Sequence, residues 1–277
     1  MDSAILREHA TAFLERMQRH GGGNVRLGPG FRATKNGTTV EPGPDLWKLV
    51  DEFLGMQVFT DPEQGQVVKL GVAVVDGERH PFAVRLRIHG DAISEAELIV
   101  SNARKGYFCD VDQLVRPDVL YAAPVPVDRA SDRDGLRRIA GSYWTGLQES
   151  DGSLVPVGYR CDRYGNGKKI TNNLEILLSP DAAVHTVASC LNHTRSARPI
   201  VRGRRFPVLD VARGVAVSFA VVDFHPAPSG ARPDNGSFCM AALFKIVDSE
   251  IRILDQFYDI LPLGAPSGWD DLPEERE

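Results

Sequence analysis

Apolar residues recur with helical spacing in three stretches of the chain. Residues 3–19 carry an amphipathic pattern, and Ser3 is suited to cap its first turn. Residues 44–54 predict a second, short helix, because Pro44 stands where a first helical turn accepts proline. Residues 132–149 predict a third helix, whose apolar face is formed by Leu136, Ile139, Tyr143, Trp144 and Leu147.

Strand patterns rich in β-branched residues fill much of the remaining chain. In the first half they cover residues 66–76, 81–88 and 92–100, with turn signals such as Asp76-Gly77 between them. Neighbouring strands joined by short turns predict an antiparallel meander. In the second half, strand patterns return at residues 204–209, 214–224, 237–247 and 250–260.

The order of these motifs repeats. An Asp-x-x-x-Gly element at residues 61–65 precedes a long apolar strand, and the same element recurs at residues 210–214. Upstream, Asn36-Gly37 is matched by Asn166-Gly167. A shared order of helix, Asn-Gly loop, strand, turn, long strand and hairpin indicates two copies of one α+β unit. We therefore expect two domains, residues 1–125 and 126–277.

Composition narrows the class of protein without indicating its chemistry. The 277 residues are 43% hydrophobic and 25% charged, with a net charge of −5, as in an average globular protein. The mild acidity disfavours duplex nucleic acid as a partner. The sequence also lacks a membrane span and a secretory leader. The cysteines are far apart and the histidines lack metal-binding spacing, so we expect a cytoplasmic protein with reduced thiols and no metal site.

Particular motifs resemble a known family. The second half carries Tyr143-Trp144-x-Gly146-Leu147, Cys161-x-Arg163-x-x-Asn166-Gly167 and Arg204-Arg205-Phe206-x-Val208-x-Asp210. The first half fits as a paired copy through Asn36-Gly37, Trp47, Asp61-Pro62 and residues 85–88 and 94–97. Over about residues 25–269 the chain is similar to an uncharacterised SnoaL-like family common in fungi, in the superfamily of nuclear transport factor 2. It departs from that pattern at Tyr164-Gly165, where an acidic residue is expected.

The resemblance implies an α+β fold of two tandem cones, each a curved antiparallel sheet wrapped around helices. Members of the superfamily include isomerases, dehydratases, cyclases and lyases that need no cofactor. One comparable group is the tandem bacterial lyases that release formaldehyde from diarylpropanes. The resemblance thus favours a cofactor-independent lyase, isomerase or dehydratase acting by acid–base chemistry on a small aromatic or polycyclic metabolite. The fold also hosts non-catalytic small-molecule-binding and assembly modules, so that alternative stays open.

Charged residues within apolar strands are the candidate catalytic groups. Arg85 and Arg87 share one face of their strand, and Glu95 and Glu97 share a face of the next. A turn near Gly90 predicts that Arg85 lies opposite Glu95. Such a group could perform acid–base chemistry, or it could form an exposed ladder of ion pairs. Lys69 also interrupts an apolar strand and could reach the same cavity, or it could be a surface lysine.

Further residues are candidates for binding a substrate. The aromatic residues Trp47, Phe59 and Tyr143 could line a cavity or belong to an ordinary core. In a loop, Arg163 could bind a carboxylate or phenolate, and Tyr164 and Asn166 could donate hydrogen bonds, unless Asn-Gly serves only as a turn. Together with Arg87, these residues predict a site for a small hydrophobic or aromatic molecule. We expect no cofactor, no nucleic-acid or membrane partner, and a homo-oligomer.

Overall fold

Two six-stranded sheets with the same strand order form most of this computed structural model. The structure describes residues 1–19, 22–47, 50–102, 109–178, 186–192, 199–225 and 236–272. Its helices are α1 (Ser3–Met17), α2 (Val111–Leu114), α3 (Arg133–Glu149), α4 (Leu174–Leu177) and α5 (Val187–Asn192). The first sheet contains β1 (Leu27–Lys35), β2 (Thr38–Val40), β3 (Glu52–Asp61), β4 (Gln66–Val75), β5 (Glu78–His89) and β6 (Ala92–Val100). The second contains β7 (Val157–Gly165), β8 (Lys168–Lys169), β9 (Ile200–Asp210), β10 (Val215–Phe224), β11 (Gly236–Val247) and β12 (Glu250–Leu261).

Both sheets are mixed. Strands β4 to β6 pair as an antiparallel meander, as predicted, and β3 extends this meander by one strand. Strands β9 to β12 pair in the same way. The expectation of wholly antiparallel sheets was wrong, because β1 pairs with β6 in parallel and β7 pairs with β12 in parallel. These pairings join the first and last long strands of each sheet. They cannot be inferred from local periodicity, since long-range packing sets their direction.

Apolar clusters arrange the chain in four layers. Helix α1 packs on one face of the first sheet, where Leu6 and Phe13 meet Val84 and Leu98. Helix α3 packs on one face of the second sheet, where Trp144 meets Phe244. The remaining faces of the two sheets pack on each other in a third cluster that includes Val68, Phe219 and Phe257. Both faces of each sheet are therefore largely buried.

The two repeated turns have the same geometry. Asp61 ends β3 and accepts a hydrogen bond from the Gln64 amide at 3.1 Å, and Asp210 ends β9 and accepts one from the Arg213 amide at 3.0 Å. Gly65 and Gly214 close these turns with φ of 64° and 58°, which glycine adopts at little cost. The Asp-x-x-x-Gly repeat in the sequence is therefore a repeated turn between paired strands.

Two of the three predicted helices are present. The patterns at residues 3–19 and 132–149 are confirmed as α1 and α3. The helix predicted at residues 44–54 was wrong, because residues 44–46 form a turn and β3 begins at Glu52. The apolar residues that suggested this helix are still buried, since Leu46 and Val50 pack in the cluster around α1. The apolar residues of a turn that packs against α1 thus have the same short spacing as the apolar residues of a helix.

Candidate functional site

The predicted site residues lie in three separate regions of the fold: between α1 and the first sheet, between the two sheets, and between the second sheet and α3. Lys69 and Trp47 lie on the side of α1, and Tyr143 and Arg163 lie on the side of α3. The largest group lies between the two sheets and comprises Phe59, Arg85, Arg87, Glu95, Glu97 and Tyr164. The predicted site residues therefore do not form a single site, because the structure places them in separate groups.

Glu97 is the centre of an ionic cluster between the sheets. Its two carboxylate oxygens accept hydrogen bonds from Arg205 Nη1 and Nη2 at 2.7 and 2.8 Å, and Arg85 Nε donates to one of them at 2.9 Å. Arg205 comes from β9 of the second sheet, so this carboxylate joins the two halves. Only 2% of Glu97 is exposed. The alternative of a solvent-exposed ladder does not hold for this residue.

The cross-strand register differs from the predicted one. Arg85 pairs with Glu97 and Arg87 pairs with Glu95, because a bulge between Arg87 and Ile88 shifts the strands. Arg85 nevertheless reaches both carboxylates, since its Nη1 donates to Glu95 at 2.8 Å. Arg87 is half-exposed and contacts Glu95 at 3.4 Å. The structure thus brings together the four charged residues, with pairings that a β-bulge decides.

Trp269 covers this cluster. The Arg32, Arg85 and Arg205 guanidinium carbons lie 4.3, 4.6 and 5.8 Å from its ring centroid, within the range of cation–π attraction. The indole Nε1 donates to Thr34 Oγ1 at 2.9 Å, which fixes the ring on the first sheet. A segment beyond the last strand therefore completes the cluster.

The arginines determine the charge state of the cluster. Burial by itself would raise the pKa of Glu97, but Arg205 and Arg85 outweigh burial and lower it. Glu95 is also ion-paired, to Arg85 and Arg87. Both carboxylates predicted to be catalytic are thus engaged by arginines, and for Glu97 these arginines stabilise the ionised form.

Lys69 and Trp47 lie on the opposite face of the first sheet from this cluster. Lys69 Nζ donates to Thr11 Oγ1 on α1 at 3.3 Å. Burial lowers the pKa of Lys69, although Glu15 opposes the shift. Trp47 packs edge-on against Phe13 of α1, with 5.2 Å between the two ring centroids. The first sheet separates these two residues from Arg85.

On the side of α3, Arg163 and Tyr143 are in contact. Arg163 Nη1 donates to Tyr143 Oη at 3.2 Å, and Gln256 Nε2 donates to the same oxygen at 3.2 Å. Arg163 Nε is buried and has no hydrogen-bond partner. No carboxylate forms an ion pair with Arg163 among the residues that the structure describes. Arg163 is thus a partly buried guanidinium that has an unbonded Nε and no compensating anion in the described chain.

Aromatic rings surround this arginine–tyrosine pair. The Tyr143 ring packs edge-on against the rings of Trp144 and Phe244, with distances between ring centroids of 5.2 and 5.6 Å. Phe238 lies 5.3 Å from Tyr258, which belongs to the same cluster. The arginine and the tyrosine hydroxyl are therefore polar groups in largely apolar surroundings, as is typical of sites for small organic molecules.

Tyr164 lies on the other face of β7, beside a titratable carboxyl. It pairs in register with Asp255 on β12. Burial, together with Asp162 and Asp255, raises the pKa of Tyr164 to about 12. Burial also raises the pKa of Asp255 to about 7, Tyr121 opposes that rise by hydrogen bonding, and Asp118 adds to it. These groups form an acidic cluster between the sheets, separate from Glu97.

The side chain of Asn166 holds the backbone of β12. Its Oδ1 accepts from the Tyr258 amide and its Nδ2 donates to the Tyr258 carbonyl, both at 3.0 Å. Asn36 forms the same pair of hydrogen bonds with Val100 on β6, at 2.8 and 2.9 Å. Because the two copies share this clamp, the geometry of Asn166 is that of a turn residue. Phe59, which also was predicted to bind substrate, packs between the sheets under Arg213.

Sequence reasoning missed several residues of these groups. Arg205 and Asp255 interrupt apolar strands just as Arg85 does, so the signal that found Arg85 could have found them. Gln256 has a weaker signal, since a neutral amide in a strand is less unusual. Trp269 follows the last strand and carries no periodic signal that could assign it to the cluster.

The described residues contain no helix that is both long and apolar enough to cross a bilayer. Within the same residues, His, Cys, Asp and Glu side chains nowhere gather in a group of three or more that could hold a metal ion.

A family model and solved structures are similar to parts of this chain. The sequence model of a family described as a domain of unknown function (DUF8021) matches residues 129–258, a little less than half of the chain. No curated protein matches. Among solved structures, an LEH-like epoxide hydrolase from M. tuberculosis aligns with a TM-score of 0.35 and 14% identity, over 47% of this chain and 86% of that one. A de novo designed protein with a curved β-sheet aligns with a TM-score of 0.31 and 18% identity, over 37% and 89%.

Proposed function

We propose that the protein binds a small aromatic molecule bearing a carboxylate or phenolate group, between α3 and the second sheet. The observation that carries this proposal is Arg163. An arginine stays charged in proteins, and a partly buried guanidinium that has an unbonded donor and no anionic partner is unfavourable. An anion on Arg163 Nε would remove that penalty. The neighbouring rings of Tyr143 and Tyr258 suit an aromatic body.

We further propose that the bound molecule undergoes proton transfer without a cofactor. Tyr143 Oη accepts hydrogen bonds from both Arg163 and Gln256. Its own proton has no acceptor within the described residues, so the hydroxyl is suited to donate to a ligand. A donor beside a fixed cation supports the reactions of a lyase, isomerase or dehydratase, in which developing negative charge must be stabilised.

The first experiment measures binding of benzoate and of its uncharged analogue benzamide by calorimetry. We expect the unaltered protein to bind benzoate more tightly than benzamide. Arg163→Gln should weaken benzoate binding by about tenfold, the effect of losing one charge-assisted hydrogen bond. Arg160→Gln is the matched control, because Arg160 lies on the same strand and is exposed. Equal binding of benzoate and benzamide, or an Arg163→Gln protein that binds as tightly as the control, would overturn the proposal.

A second experiment tests for turnover. The resemblance to formaldehyde-releasing lyases makes a diarylpropane diol the first substrate to assay, with formaldehyde as the measured product. We expect Tyr143→Phe to retain benzoate binding within a few fold and to abolish product formation, because the substitution removes only the hydroxyl. Substrate binding without release of formaldehyde in the unaltered protein would contradict this particular reaction.

A non-catalytic binding protein is the second candidate. It is favoured by the ionic cluster, in which Arg85, Arg87 and Arg205 occupy the carboxylates of Glu95 and Glu97. Carboxylates held in ion pairs are poor proton acceptors. On this hypothesis the Arg163 binding results would be unchanged, and no proton-transfer reaction would depend on Tyr143.

A further inference from the structure

A pocket separate from the Arg163 site lies where the two sheets meet at the ionic cluster. Its volume is about 180 Å³. Both halves line it, since Arg87 comes from β5 and Pro207 from β9. Its walls include Gln66, Arg85, Arg87, Glu95, Arg205 and Leu272. It does not involve Arg163, so it is independent of the function proposed above.

The charges around this pocket favour an anion. Its walls carry Arg85, Arg87 and Arg205 but a single carboxylate, Glu95. Glu97 lies next to the pocket and balances the charge of one more arginine. The arginines still outnumber the carboxylates, so the pocket keeps an excess of positive charge. Guanidinium groups that outnumber carboxylates attract carboxylate or phosphate ligands, because their N–H groups match those oxygens.

The guanidinium groups of Arg85 and Arg87 also have N–H donors that are not fully engaged in hydrogen bonds within the protein. Arg85 is 3% exposed, and its Nη2 has no hydrogen-bond partner. Arg87 has one long contact to Glu95 and a half-exposed guanidinium, so it can turn toward a ligand without breaking a buried pair.

Size and lining limit the ligand. A cavity of about 150 Å³ holds benzene, so this pocket holds a molecule of about that size. Pro207 and Leu272 provide an apolar wall beside the arginines. We propose that the pocket binds a small carboxylic acid, with its carboxylate at Arg87 and Arg85 and its carbon chain against Pro207 and Leu272.

The test measures thermal stabilisation by succinate, with succinamide and inorganic phosphate at matched ionic strength as comparisons. We expect succinate to raise the melting temperature more than either comparison compound. Arg87→Gln should weaken the apparent affinity for succinate by about tenfold. Glu95→Gln should strengthen it, because a repelling carboxylate is removed from the wall.

Arg79→Gln is the matched control. Arg79 lies on the same strand as Arg87, has similar exposure and also pairs with one carboxylate, Asp112. The control should bind succinate like the unaltered protein, and so should Arg163→Gln. Equal losses in Arg87→Gln and Arg79→Gln would overturn the site. Phosphate binding as tight as that of succinate would overturn the carboxylic acid as its ligand.

Discussion

At the scale of single residues, Glu97 joins arginines from both sheets in a buried site. Replacing it with Gln leaves Arg85 and Arg205 buried without their shared carboxylate. We expect Glu97→Gln to lower the free energy of unfolding by about 3–5 kcal/mol, the range for breaking one partner of a buried ion pair. Urea unfolding followed by circular dichroism measures this loss. Glu63→Gln is the control, because Glu63 is 73% exposed and its ion pair to Arg133 should contribute less than about 1 kcal/mol. Similar losses in both variants would contradict the role of Glu97.

Asp255 makes a different prediction, about pH. Its pKa is raised to about 7 in the folded protein, against 3.8 for an ordinary aspartate. Between about pH 4 and 7 the folded state therefore holds a proton that the unfolded state has released. The free energy of unfolding should fall as pH rises through this window, and Asp255→Asn should remove that part of the slope. Urea midpoints measured from pH 4 to 8 check this, with Asp45→Asn as an exposed control. An unchanged slope in Asp255→Asn would refute it.

At the scale of elements, the repeated Asn-Gly turns allow an internal comparison. Asn36 and Asn166 have φ of 48° and 45°, a region in which asparagine is favoured over most residues. Each also clamps the backbone of the last strand in its sheet. We expect Asn36→Ala and Asn166→Ala each to lower the free energy of unfolding by about 3 kcal/mol, from three lost side-chain hydrogen bonds and backbone strain.

The same pair of variants separates a structural role from ligand binding. Benzoate affinity should be unchanged in folded Asn166→Ala protein, because Asn166 is occupied by the strand backbone. An Asn166→Ala protein of normal stability that fails to bind benzoate would instead make Asn166 a ligand contact, as the sequence had suggested.

The elements also show how far sequence reasoning extends. Turn signals and β-branched runs located β4, β5 and β6 correctly, because those features are local. Arg85 pairs with Glu97, two residues from the predicted partner Glu95, because a bulge after Arg87 that leaves little trace in the sequence shifts the strands. Which face Arg85 occupies could not be predicted at all. Both faces of its sheet are buried, so the strand lacks the polar–apolar alternation that identifies a solvent-facing side.

At the scale of the whole molecule, the two sheets share one core. Phe219 and Phe257 of the second sheet pack with Val68 and Leu70 of the first. A half separated from its partner would expose this apolar face to water and lose its burial energy, about 25 cal/mol per Å². The predicted division at residues 125 and 126 stays a prediction about repeats in the sequence. The shared core argues that neither half is stable without the other.

The three tryptophans of the chain can test this coupling directly, because each lies in a different layer. Trp47 packs on α1, Trp144 packs between α3 and the second sheet, and Trp269 covers the ionic cluster between the sheets. In variants that keep a single tryptophan, with Phe at the other positions, we expect fluorescence and circular dichroism to give the same urea midpoint within each variant. Coincident transitions are the signature of one cooperative unit. Since both probes are read on the same variant, any loss of stability from Trp→Phe shifts both equally. If the Trp47 and Trp144 signals instead depart from the circular dichroism of their own variants, the halves unfold separately and the shared core does not couple them.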